Sequence, residues 1–246
     1  MSRATYVLLP PSESKEPGGR FRAAPGFFDD SLAEARAGVR GALASLLASS
    51  SKDEVSRVLK VRGPLLERAL ASSALIVNES APTLPAWQRY SGVVWSHLDP
   101  ANLSDAQRRQ VLIPSGLYGL SCGTDEIADY RLTMKVALAG LGNVTTFWRP
   151  LVTQALRDLS NATFVDLLPK EHAAAIGPEE ELSARIVGVS FLRHGGEGVA
   201  GHDAKAAKGV LARRILLEGI DAVDGFRWKG WRGRAHHGHL EVRAPR

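Results

Sequence analysis

Between residues 147 and 243 the apolar pattern switches repeatedly between two periods. Residues 147–159 carry helical spacing, and 162–168 form a short run rich in strand formers. Residues 170–176 make a helical turn, 185–192 are again strand-like, and 204–218 return to helical spacing. Strands alternating with helices specify a mixed sheet with helices around it, an α/β fold. Residues 226–231 and 240–243 are expected as closing strands.

The first half is less regular. Residues 6–9 read as a buried strand stopped by Pro10-Pro11, and 16–29 as a loop rich in Pro and Gly. A helix is expected from Ser31, capped by Ser31 with Glu34, with Leu32, Ala35, Val39, Leu43, Leu46 and Leu47 on one face. Residues 52–59 and 65–70 read as two short helices around "KVRGP". Residues 93–98 read as a strand. Ser104 with Gln107 caps a short helix leading into the strand at 111–113. There are no long linkers, repeats or low-complexity tracts, so residues 1–246 are expected to form one domain.

Composition narrows the setting. One cysteine, Cys122, excludes an intrachain disulfide and fits a reducing cytoplasm. No run of about 18 apolar residues occurs, so no membrane span is expected, and the N-terminus lacks the pattern of a signal peptide. The net charge is +5, with cations concentrated after residue 201 (Lys205, Lys208, Arg213, Arg214, Arg227, Lys229, Arg232, Arg234, Arg243, Arg246). Such an excess favours an anionic partner.

Five stretches carry candidate chemistry. "LLPPSESK" places Ser12 and Lys15 just after a strand, where site loops of α/β folds lie. It fits a plain surface loop equally well. "SGLYG", residues 115–119, sets glycines beside a polar aromatic, either for a ligand close to the backbone or for a tight strand turn. It has neither P-loop spacing nor the Gly-x-Ser-x-Gly of a nucleophile elbow. On the helix "HDAKAAKGVLARR", Lys205 and Lys208 lie about 60° apart around Gly209 and near Arg213. That face suits a phosphate or carboxylate, or simply water. "VLKVRGPLLERAL" resembles a helix–hairpin–helix, with Arg62 and Gly63 at the hairpin where amides meet DNA phosphate. A plain αα-hairpin fits as well. His236, His237 and His239 lack ligand spacing for a metal, so neither a metal nor a cofactor is expected.

Taken in order, strand–Pro–Ser–x–x–Lys, "SGLYG", "YRLTM", "FW", "AKAAKG" and "GFRWKGW" resemble the YaaA family of peroxide stress proteins over nearly the whole chain. The resemblance implies a single α/β domain of the "cantaloupe" type with a positively charged cleft. It also implies a cytoplasmic role in defence against hydrogen peroxide, and DNA binding through a helix–hairpin–helix. Carried over by position, Lys15, Ser115, Gly116, Tyr118, Gly119, Asp125, Tyr130, Arg131, Lys205 and Gly209 fall on family motif positions. The chain departs from the family at Lys205-Ala206-Ala207-Lys208-Gly209, where "KKARG" is common.

Two functions follow as expectations. In the first, the protein binds DNA through Arg62 and Gly63 and belongs to the peroxide response. In the second, it is a specialised enzyme of the same family acting on an anionic or nucleotide-like small molecule. Lys15, Tyr118, Asp125, Tyr130, Arg131 and Lys205 would then serve catalysis. Ser12, Ser115, Gly116, Gly119, Lys208, Gly209 and Arg213 would hold the anion.

Overall fold

In the computed structural model, residues 3–21, 25–193, 198, 201–236 and 239–245 are described, His236 by its backbone alone. The chain opens with β1 (Ala4–Leu8), followed by α1 (Asp29–Ser49), α2 (Lys52–Leu59) and α3 (Pro64–Val77). Next come β2 (Thr83–Pro85), α4 (Ala86–Arg89), α5 (Val93–Leu98), α6 (Asp105–Arg109), β3 (Val111–Ser115), β4 (Gly119–Cys122) and β5 (Glu126–Ala128). A small hairpin, β6 (Ala137–Leu138) and β7 (Gly142–Asn143), leads into α7 (Val144–Asp158). The last part holds β8 (Ala162–Asp166), α8 (Lys170–Ala173), α9 (Glu180–Ser183), β9 (Ile186–Leu192), α10 (His202–Glu218), β10 (Arg227–Trp228), β11 (Trp231–His236) and β12 (His239–Arg243).

Eight of these strands form one mixed sheet in the order β10-β11-β12-β9-β8-β1-β3-β4. The middle is parallel: β1 lies between β8 and β3, with Val7 opposite both Val165 and Val111. Both flanks are antiparallel. A parallel strand with helices on both faces has no solvated side, so its residues run apolar without alternation. Val7, Leu8, Leu112, Ile113, Phe164 and Val165 are accordingly all fully buried.

α1 starts at Asp29, two residues before the expected point. Phe28 occupies the cap position without a side-chain hydrogen bond, and Ser31 Oγ donates to Phe28 O at 3.2 Å. The Ser31–Glu34 capping box does not form, because two acids in the first turn already favour the helix start. The expected box at Ser104–Gln107 does form, with bonds in both directions.

A larger correction concerns residues 93–98, which are helix α5 and not a strand. The segment is rich in β-branched residues, but packing overrides that preference. α5 buries Val94, Trp95 and Leu98. At its crossing with α10, a Cβ on Gly209 would lie 2.3 Å from Val94 O and 2.7 Å from His97 Cβ. Two helices approach this closely only over a residue without a side chain.

The expected strand at 226–231 is instead a hairpin. Lys229 and Gly230 both have positive φ, 43° and 83°, and Trp228 pairs with Trp231. Positive φ at both central residues is what a two-residue turn needs to match strand twist.

Candidate functional site

β1 is where the strand order reverses. The chain leaves β1 for β3 on one side, then returns to build β8, β9 and β12 on the other. Loops leaving neighbouring parallel strands in opposite directions open a crevice at their carboxyl ends. A cleft of about 530 Å³ lies here. Pro10–Lys15 enter it after β1, Gly116 after β3, and Pro169, Glu171 and His172 after β8. Gly92–Trp95, Tyr130–Thr133 and Lys205 complete its walls.

Lys15 is the most constrained group in it. The residue is 7% exposed, and its Nζ donates to Ser12 O at 2.7 Å. Nζ also stands 4.3 Å from the centre of the Tyr130 ring and 5.5 Å from that of Tyr90. The backbone of Lys15 is held in turn: it bridges to Tyr90, and its carbonyl accepts from Arg68 Nη2 at 2.9 Å. Burial, then the nearby Arg131 charge, push the amine down to about 7.

A row of hydroxyls backs this amine. Tyr130 and Tyr90 share a hydrogen bond of 2.8 Å. Ser115 Oγ, fully buried, accepts from the amide of Tyr118 at 3.2 Å and interacts with the Tyr130 hydroxyl. Burial raises the pKa of both tyrosines above the usual phenol value, so they stay protonated. Arg131 borders the cleft, and its Nε is buried without a hydrogen-bond partner among the described residues. Two acids share the cleft with these cations. Glu13 is exposed, and Glu171 pairs with Lys135 at 2.5 Å. Burial lowers the pKa of His172.

Of the residues expected at the site, Ser12, Lys15, Gly116, Tyr130, Arg131 and Lys205 line this cleft, and Ser115 lies directly behind it. The others do different work. Tyr118 faces a separate hollow beside Arg36 and Arg40, and its hydroxyl accepts from Ala128 N at 2.8 Å. Asp125 ties a turn, accepting from Cys122 N and Phe27 N at 2.9 Å each. Gly119, with φ of 68°, gives way to the ring of Trp148: a Cβ there would lie 2.4 Å from it. Lys208 Nζ donates to Leu167 O, and Arg213 to Leu98 O and Asp99 O, so both tether α10. Gly209 lies at the helix crossing. Arg62 and Gly63 sit exposed in the turn between α2 and α3, away from the cleft. His239 bonds Ser190 at 2.7 Å, while His237 and Arg246 lie outside the described residues.

Sequence reasoning missed Gly92, Thr133, Glu171 and His172. Thr133 lies inside "YRLTM" without standing out by type; Gly92 has no motif and arrives as the cap of α5, and Glu171 and His172 arrive because β8 ends beside β1. Cys122 is fully buried and its thiol is pushed up to about 12, chiefly by burial, so it is protected from oxidants as an unreactive thiol.

A family model described as "Peroxide stress protein YaaA" matches residues 6–236. The chain belongs to the YaaA family. Relatives of this YaaA-family chain carry the designation UPF0246. One from Streptomyces coelicolor is 34% identical over 225 residues, covering 87% of this chain and 83% of the relative. One from Corynebacterium efficiens is 32% identical over 228 residues (88% and 87%), and one from Ruegeria 29% over 215 (82% and 84%). No helix among the described residues of this YaaA-family chain is long and apolar enough to cross a membrane.

Proposed function

We propose that the cleft holds a phosphate-bearing ligand, and that this YaaA-family protein binds DNA as part of the response to hydrogen peroxide. The observation that carries this is the pairing state of the cleft cations. Neither Lys15 nor Arg131 has a carboxylate within ion-pair distance among the described residues. Lys205 adds a third positive charge at the rim. Uncompensated cations in one cleft repel each other, and an incoming anion relieves that repulsion.

The α2–α3 turn supplies a second contact in this reading. Gly63, at φ of 55°, ends the turn, and Pro64 opens α3 beside the exposed Arg62, which would make the phosphate contact. Duplex binding should fall steeply with salt, because phosphate contacts release counterions. Arg62→Glu should weaken binding about equally for all sequences. Fluorescence anisotropy with two unrelated duplexes at two salt concentrations tests both points. Absence of duplex binding would remove DNA from the account, salt-independent binding would remove the phosphate contacts, and a folded Arg62→Glu protein that binds unchanged would remove the hairpin.

A second reading is an enzyme acting on an anionic or nucleotide-like small molecule. The cleft volume of about 530 Å³ favours it, since small-molecule sites fall in the range of about 300–1,000 Å³. A mononucleotide that competes with duplex at equal phosphate concentration would support this reading over the first.

A further inference from the structure

The buried amine of Lys15 has surroundings that an anion-binding lysine does not need. A lysine meant only for charge would stand in water or against a carboxylate, fully protonated. Lys15 is buried, and its one hydrogen-bond partner among the described residues is a backbone carbonyl, which leaves the rest of Nζ toward the cleft. We propose that Lys15 is a nucleophile that forms an imine with an aldehyde or ketone whose phosphate or carboxylate group is held by Arg131 and Lys205.

The chemistry balances without any redox partner. The nitrogen lone pair attacks the carbonyl carbon, and a proton passes from nitrogen to the former carbonyl oxygen. That oxygen takes up one further proton from a donor and leaves as water, the nitrogen lone pair forms the C=N bond to the substrate, and the remaining N–H proton returns to the donor. The proton donor is the Tyr130 hydroxyl, which is linked to Tyr90 and Ser115 and belongs to the ring whose centre lies 4.3 Å from Nζ.

Charges on every side decide how much free amine is present. Arg131 and Arg68 favour its loss of a proton, while Asp129 and Glu13 favour retention. Asp129 is engaged by Arg68 Nε at 2.7 Å, which leaves Glu13 as the acid without an ion pair there. The tyrosine rings favour the cation weakly. Burial outweighs these and holds the amine near 7. A substantial share of Lys15 is then neutral at neutral pH, against well under one part in a thousand for an ordinary lysine.

This inference rests on the anion reading for its choice of substrate but not for the amine chemistry. The test incubates the intact protein with a small molar deficit of pyridoxal 5′-phosphate or of pyridoxal, each with cyanoborohydride to reduce any imine to a stable amine. Peptide mapping then gives the adduct on each lysine between pH 6 and 9. The expected result is an adduct on Lys15 in at least roughly hundredfold excess over exposed Lys52 or Lys60, levelling off above about pH 8. The phosphate-bearing aldehyde should react faster than pyridoxal. Equal reaction of both aldehydes at Lys15 keeps the nucleophile and removes the anion site. Adducts spread evenly over the lysines, or absent from Lys15, overturn the proposal even if phosphate binds.

Discussion

At the scale of single residues, Lys15 makes stability depend on pH in a direction unusual for a charged group. Folding lowers its pKa from 10.5 to about 7. Between these values unfolding takes up a proton, so this residue makes stability rise with pH across that window. Below about pH 7 both states carry the charge, and the folded state bears the full cost of burying it. Lys15→Met should therefore stabilise the protein most at pH 6. The gain would be about 1–3 kcal/mol after the bond to Ser12 O is lost, and it should fade toward pH 10. Urea midpoints at pH 6, 8 and 10 check this; a gain that grows with pH contradicts it. The glycines show what a sequence conceals at this scale. Gly116 and Gly119 read alike in "SGLYG", yet one borders the cleft and the other accommodates Trp148. Nothing local tells which glycine meets a ring 29 positions downstream.

Among elements, the α5–α10 crossing is the joint that sets the wall opposite Lys15. α5 contributes Val93, Val94 and Trp95 to the cleft, and Trp95 Nε1 donates to Pro10 O at 3.1 Å. Gly209→Ala would press a methyl group onto the α5 backbone. It should cost about 1–3 kcal/mol, seen as a Tm lower by roughly 3–10 °C. An unchanged melting curve would mean that the helices separate freely. Much of the fold was legible at this scale. Pro10-Pro11 stopped β1 where expected, Ser104 and Gln107 capped α6, and the alternation after residue 147 marked β8, β9 and α10. α5 was misread because a Val-Val-Trp run favours a strand until a helix lies across it. The candidate site was half legible. Lys15, Gly116 and Lys205 stood out by residue type and spacing, and Tyr130 and Arg131 through the family resemblance carried by "YRLTM". Glu171 and His172 could be placed only by knowing that β8 pairs with β1.

The whole molecule should respond to an anion in the cleft as one cooperative unit. Phosphate at about 100 times its dissociation constant should add roughly 2.7 kcal/mol, or a Tm rise of several degrees for a chain of this size. Lys205→Ala should leave the ligand-free protein unchanged, since Lys205 is exposed and unpaired among the described residues, and should diminish the shift. Thermal melts of both proteins in phosphate, against chloride at matched ionic strength, decide between a site and a solvated lysine face. The central place of β1 also gives the molecule a history. β1 needs Val111 on one side and residues 162–166 on the other, both made long after it. Pairings so distant along the chain form slowly, because loop closure comes before any contact repays it. On a ribosome, β1 waits with both edges open until β3 is made and with one open until residues 162–166 follow. Throughout that wait Lys15 stands in water as an ordinary cation, and its amine loses charge only once Tyr90 and Tyr130 pack against it.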